Sequence, residues 1–211
     1  MRYRGFIGRG LMIGLAAWAG MAAAAQAQAQ ADLTPQQKDV AQKAIGGDAQ
    51  AQSDVGMMYY NGDGLPRSDA QALEWFRMSA TQGNPAGEYN LGLMYLNGRG
   101  VAIDNTQAVK WLTQSALHGQ SDAQLMLGLI DSAGVDGAVR DEATSVAWVK
   151  IAAQAGNPQA QAFLDLMTPS LNLNSDLQVS SDDLAKTLHE KVQQALAGDS
   201  GAATATPAPV K

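Results

Sequence analysis

From Ala49 onward apolar residues recur at helical spacing, interrupted at regular intervals by paired glycines. Ala51, Val55 and Tyr59 lie four residues apart and so share one face of a helix. Asn61-Gly62-Asp63-Gly64 stops that helix, because its two glycines supply the left-handed backbone of a cap and turn. A second helix is expected from about Asp69 to Gln82, ending at Gly83. The arrangement then recurs. Ala86 to Leu96 has good helix formers and no internal proline, Asn97-Gly98-Arg99-Gly100 ends it, and Asn105 to His118 leads to Gly119. Pro85 and Pro158, each two residues past a helix-ending glycine, suit the first turn of the next helix.

The recurrence has a fixed length. Gly47, Gly83, Gly119 and Gly156 are separated by 36, 36 and 37 positions. Gly56, Gly92 and Gly128 keep that spacing, and Trp75, Trp111 and Trp148 follow it with one residue added before the last. A period of this size marks helical hairpins that bury their apolar faces only against neighbouring hairpins. The expected fold is therefore an all-α solenoid of repeats at about 47–82, 83–118 and 119–155, with partial repeats extending it to 33–167. The third repeat is degenerate: Asp131 stands where Tyr59 and Tyr95 stand, and its Gly134-Val135-Asp136-Gly137 turn carries the insertion. Gly56, Gly92 and Gly128 fall in mid-helix, where glycine costs about 1 kcal/mol relative to alanine. Close approach of the paired helix, with Ala72 or Ala108 at the contact, is the expected compensation. Tyr59, Tyr95, Trp75, Trp111 and Trp148 would then fill the space between hairpins.

Both ends read as caps. Thr34-Pro35-Gln36-Gln37 combines an N-cap, a first-turn proline and a reciprocating glutamine. It opens a helix whose Ala44 is in phase with Ala80, the second helix of a repeat. Gln159 to Met167 forms one more first-type helix, and Thr168-Pro169 is expected to break it. A polar connector leads to a capping box at Ser180 and Asp183, and Leu184, Leu188, Val192 and Leu196 form a stripe able to seal the open end of the stack. Residues 168–198 thus read as connector and C-terminal capping helix, and 199–211, rich in Ala, Thr and Pro, as a disordered tail.

Residues 1–27 read as a signal peptide. Arg2, Arg4 and Arg9 precede an uncharged run from Leu11 to Ala25, and small residues then alternate around Ala25, Ala27 and Ala29. The run is shorter than the roughly 20 residues that span a bilayer. With no cysteine in the chain there is neither a lipidation site nor a disulfide, so packing alone holds the mature protein. Export to the periplasm as a soluble monomer, without a membrane anchor after cleavage, is the expectation. Cleavage would leave 11 Lys and Arg against 20 Asp and Glu, a net charge of −9 that disfavours nucleic acid and anionic lipid as partners.

Candidate chemistry is sparse. Gly198-Asp199-Ser200-Gly201 has the form of a serine-protease nucleophile turn but follows a helix in a chain with no β pattern. His118 and His189 have no metal-ligand spacing, and Asn61-Gly62-Asp63-Gly64 lacks the remaining ligands of a calcium loop. No residue set suggests catalysis, a metal or a cofactor, so the chain is read as a non-enzyme.

Leu91, Gly92, Tyr95, Gly98, Gly100, Val101, Asp104, Ala108, Trp111, Ala116 and Gly119 together resemble the Sel1-like repeat, a relative of the tetratricopeptide repeat. Val55, Gly56, Tyr59, Gly62, Gly64, Leu65, Ala72, Trp75, Ala80 and Gly83 match it again, with Ser68 where the pattern has Asp. The tetratricopeptide period is 34 and its inter-helix turn lacks the Gly-x-Gly. The resemblance implies a right-handed α-solenoid with N- and C-terminal capping helices, acting as a protein-binding scaffold or adaptor in the cell envelope. Two alternatives stay open beside it, an immunity-type inhibitor of a secreted toxin and a peptidoglycan-active enzyme. Related hairpin repeats line their concave groove with the outer side of each first helix. Here that side carries Gln50, Ser53, Met57 and Tyr60, then Ala86, Tyr89, Leu93 and Leu96, then Asp122, Leu125, Leu129 and Ser132. Met57, Tyr60, Tyr89, Leu93, Leu96, Leu125 and Leu129 are the candidate contacts with a protein partner, unless adjacent first helices pack on one another through them.

Overall fold

The computed structural model describes residues 33–134 and 141–202, with the backbone alone at 168–173 and 198–202. The signal-peptide expectation, the inserted turn at 135–137 and the tail beyond 202 lie outside the described residues. Helices follow one another throughout: α1 Pro35–Ile45, α2 Ala49–Asn61, α3 Asp69–Ala80, α4 Pro85–Asn97, α5 Asn105–Leu117, α6 Ser121–Ala133, α7 Glu142–Gln154, α8 Pro158–Leu173 and α9 Ser175–Ala202. The tightest pairs are α2 with α3, α4 with α5, and α6 with α7, which are the three expected hairpins. Each hairpin then packs on the next, so the chain is an all-α solenoid.

The starts and stops have local causes. Thr34 accepts from the Gln37 amide while the Gln37 side chain accepts from the Thr34 amide, closing the capping box. Ser68 accepts from the Gln71 amide as Asp104 does from that of Gln107, so serine at this position caps as aspartate does. Gly62 and Gly98, at φ 78° and 63°, turn the chain out of α2 and α4 in the left-handed region that a side chain would disfavour.

The mid-helix glycines are covered by large side chains of the partner helix. A Cβ on Gly56 would lie 2.5 Å from the Phe76 ring, on Gly92 2.8 Å from Leu112 Cγ, and on Gly128 2.6 Å from Val149 Cγ2. Phe76, Leu112 and Val149 share one phase and are buried, and they add to the expected approach of Ala108, whose carbonyl oxygen would lie 3.3 Å from a Cβ on Gly92. Ala72 and Ala108 are fully buried beside them. The recurring aromatics lie nearer the surface. Tyr59, Trp75, Tyr95 and Trp111 are half-buried, and of the three repeat tryptophans Trp148 alone is buried.

The C-terminal third departs from expectation. Thr168-Pro169 does not end the helix: α8 runs unbroken to Leu173. An interior proline removes one backbone hydrogen bond and bends a helix, which is less than is needed to stop one. No long connector follows. The Asn174 side chain accepts from the Leu177 amide and starts α9, so Ser180 lies inside that helix and is not its cap. The helix also continues through Gly198 to Ala202, where a disordered tail was expected. α9 does not seal the end of the stack at α8. It folds back along α7 and reaches α5. Its inward line is Ser181, Ala185 and Val192 with Leu184 and Leu188 half-buried, while Leu196 remains exposed. Lys150 of α7 fixes it by donating to Ser181 Oγ and Asp182 Oδ1, each at 2.7 Å. Among the described residues no helix is long and apolar enough to cross a membrane.

Candidate protein-binding face

The seven candidate contacts are all half-buried, but they divide by what they touch. Met57 and Tyr60 pack against the core of Phe76, Leu91 and Met94, joining the first hairpin to the second. Tyr89 and Leu96 pack against the core of Leu112, Leu127 and Trp148, joining the second to the third. Leu125 packs with Phe163 and Leu164 on Val149, Ala152 and Ala160, joining the third to α8. These five help to join successive hairpins. Burial, followed by the nearby Asp122, pushes the Tyr89 phenol above its usual range. Ser53, counted on the groove by phase, is buried.

Leu93 and Leu129 stand apart. Both are half-exposed and neither packs against any of the four described core clusters. They share their phase with Met57, so one apolar position recurs on three successive first helices.

Tyr60 is further occupied from the side. The Arg99 guanidinium lies 3.8 Å from its ring centroid and is fixed by two hydrogen bonds to Asp69, at 2.6 and 3.0 Å. That carboxylate holds the guanidinium above its usual range, and Arg99 in turn pulls the Asp69 carboxyl below its own.

One apolar feature was not foreseen. A cavity of about 360 Å³ opens between α1 and the first hairpin, walled by Leu33, Ala41, Ile45, Tyr59, Leu65 and Trp75. In the next repeat Arg77 occupies the phase of Ala41, held by Tyr95 and Glu74. The missing long side chain at Ala41 was the available signal. Of the histidines, His118 Nδ1 lies 2.7 Å from Glu88 Oε2. Among the described residues no group of three or more His, Cys, Asp or Glu could hold a metal ion.

The profile of the Sel1 repeat matches residues 49–84, 85–120 and 121–157, with each repeat beginning two residues later than the glycine-based division. The chain is similar to a Sel1 repeat protein from Oxalobacter formigenes of known crystal structure, at 38% identity and a TM-score of 0.54, over 61% of this chain and 96% of that one. It is also similar to a protective antigen of uropathogenic Escherichia coli strains that displays an SLR fold. There the identity is 30% and the TM-score 0.58, over 75% of this chain but 33% of that one, so it spans about a third of the antigen. No curated protein sequence matches.

Proposed function

Because the chain belongs to the Sel1 repeat family, whose members mediate protein–protein interaction and are generally non-catalytic, we propose that it is a non-enzymatic scaffold of the periplasm that grips a protein partner along its first helices. The observation that carries this reading is the pair of half-exposed leucines at one phase, Leu93 and Leu129. Leucines at a recurrent outward position, unclaimed by the core clusters, suit an amphipathic segment laid across successive repeats. The signal-like N-terminus supports the compartment, and the absence of a residue set suited to catalysis supports a binding role.

The test uses the chain from Gln28 as bait in an envelope extract, with mass spectrometry of what is retained. A Leu93→Ser/Leu129→Ser variant should hold the same partner more than about tenfold more weakly, or ~1.4 kcal/mol. Its melting temperature should change little. Equal capture by the variant would move the recognition surface off the first helices. Cell fractionation with N-terminal sequencing of the secreted form decides the compartment.

A further inference from the structure

Each hairpin carries a buried polar side chain at one phase of its first helix: Gln52, Glu88 and Gln124. In the first repeat Gln52 Nε2 donates to the Ala44 carbonyl, and Gln52 Oε1 accepts from Gln82 Nε2 at 2.7 Å. In the second, Glu88 is met by His118 at 2.7 Å. Gln82 and His118 hold equivalent places, each immediately before a helix-ending glycine. The third repeat has Ala155 there, before Gly156. Gln124 Nε2 still donates to the Ala116 carbonyl at 3.0 Å, as Gln52 does to Ala44. Its Oε1, however, has no partner, the sole buried side-chain polar atom of which this is true among the described residues. An acceptor left so destabilises the fold.

The space of the missing side chain is a cavity of about 230 Å³ bordered by Gln124 and Ala155. Ile151, Val192 and Leu196 give it an apolar wall, and Gln154, His189 and Gln193 a polar rim. Ala155, Gln154, His189 and Gln193 are exposed, so the cavity's mouth is open to solvent, while Gln124, only 1% exposed, lies at its inner end. Its α9 wall exists only because that helix folds back over α7.

We propose that this cavity is a receptor for one N–H-bearing side chain, an amide or an imidazole, presented by a partner protein. The group that the first two repeats supply from Gln82 and His118 is taken in from outside by the third. The donor would meet Gln124 Oε1, and its aliphatic stem would lie against Ile151 and Val192. The identity of the donor as a protein side chain rests on the scaffold reading; the chemistry of the cavity does not.

The probes are acetamide, neutral imidazole at pH 8, and acetone, which matches acetamide in size and shape but has no N–H. They are titrated into the full mature chain and followed by amide and side-chain NMR. Acetamide and imidazole should shift the Gln124 side chain and the Gly119 and Val192 amides saturably, with Kd on the order of 1–10 mM. Acetone should bind at least about tenfold more weakly. Ala155→Gln, which rebuilds the first repeat's pair in place, should weaken acetamide at least about tenfold, and so should Gln124→Met, which removes the acceptor. Each variant is accepted only if its spectrum elsewhere is that of the parent. Absence of saturable shifts would show a site holding water alone and overturn the proposal. Equal binding of acetone, or undiminished acetamide binding by Ala155→Gln, would overturn it as well. For a partner obtained with the parent bait, undiminished capture by Ala155→Gln would overturn the role in recognition, while the Leu93→Ser/Leu129→Ser result independently decides the first-helix reading.

Discussion

Gly92 shows how a local cost is offset by packing. Alanine there would gain about 1 kcal/mol of helix propensity, yet its Cβ would press on Leu112, which is fully buried. Gly92→Ala should therefore destabilise by about 1–3 kcal/mol net, read from the midpoint of urea unfolding. The recurrence of the glycines was legible because one residue type repeats. Their covers were not, because Phe76, Leu112 and Val149 are three different residue types at one phase, a regularity of volume and burial alone. The same distinction ranks the aromatics. Phe76→Ala should cost about 3–5 kcal/mol, and Trp111→Ala, at a half-exposed site, less than half of that; chemical unfolding of both variants compares them. Asp131 is the residue-scale exception. Burial, then the nearby Asp141, raises its carboxyl pKa above the ordinary value, so its charge at neutral pH disfavours the folded state. As pH falls through the raised folded value, the folded protein takes up the proton first and this cost disappears. Asp131→Asn should raise the melting temperature at pH 7, with the gain shrinking as pH falls through the raised value and gone below about pH 4.

Among elements, the hairpins were readable because caps and apolar spacing agree, and local propensity and tertiary packing ask for the same helix. The C-terminal third was not, because Pro169 is a strong local signal and the fold-back of α9 is decided by a distant surface. Nothing near Ser180 announces that its helix will meet Lys150 and Trp148. The seam residues of the binding face were hidden for a related reason. Tyr60, Tyr89, Leu96 and Leu125 have the phase of an open groove, and only the curvature of the stack decides whether neighbours close over them. α9 is testable as a unit. A chain ending at Leu173 should uncover Trp148, which shares a core with Ala185. Its tryptophan emission should move to longer wavelength and its unfolding midpoint fall, with most of the helical signal retained. An unchanged emission maximum would mean that α9 is not what buries Trp148.

At the scale of the molecule, hairpins touch neighbouring hairpins and little else, so stability should vary along the stack. Amide hydrogen exchange is expected to be slowest in α4, α5 and α7 and fastest in α1, which packs mainly on α2 and has a cavity at its side. Uniform protection would show that the stack opens as one unit. The hydrogen bonds within and between hairpins also have a characteristic reach. Ser79 to Ala49, Gln82 to Gln52, Arg99 to Asp69, Ser115 to Pro85 and His118 to Glu88 each join residues 30 apart. A chain delivered N-terminus first can thus complete each hairpin soon after its second helix emerges, with no need of anything still to come. α9 is the exception, since its contact with α5 waits for the last residues to arrive. Assembly is then progressive and quick along most of the length, and ends in one late docking step that closes over the third repeat.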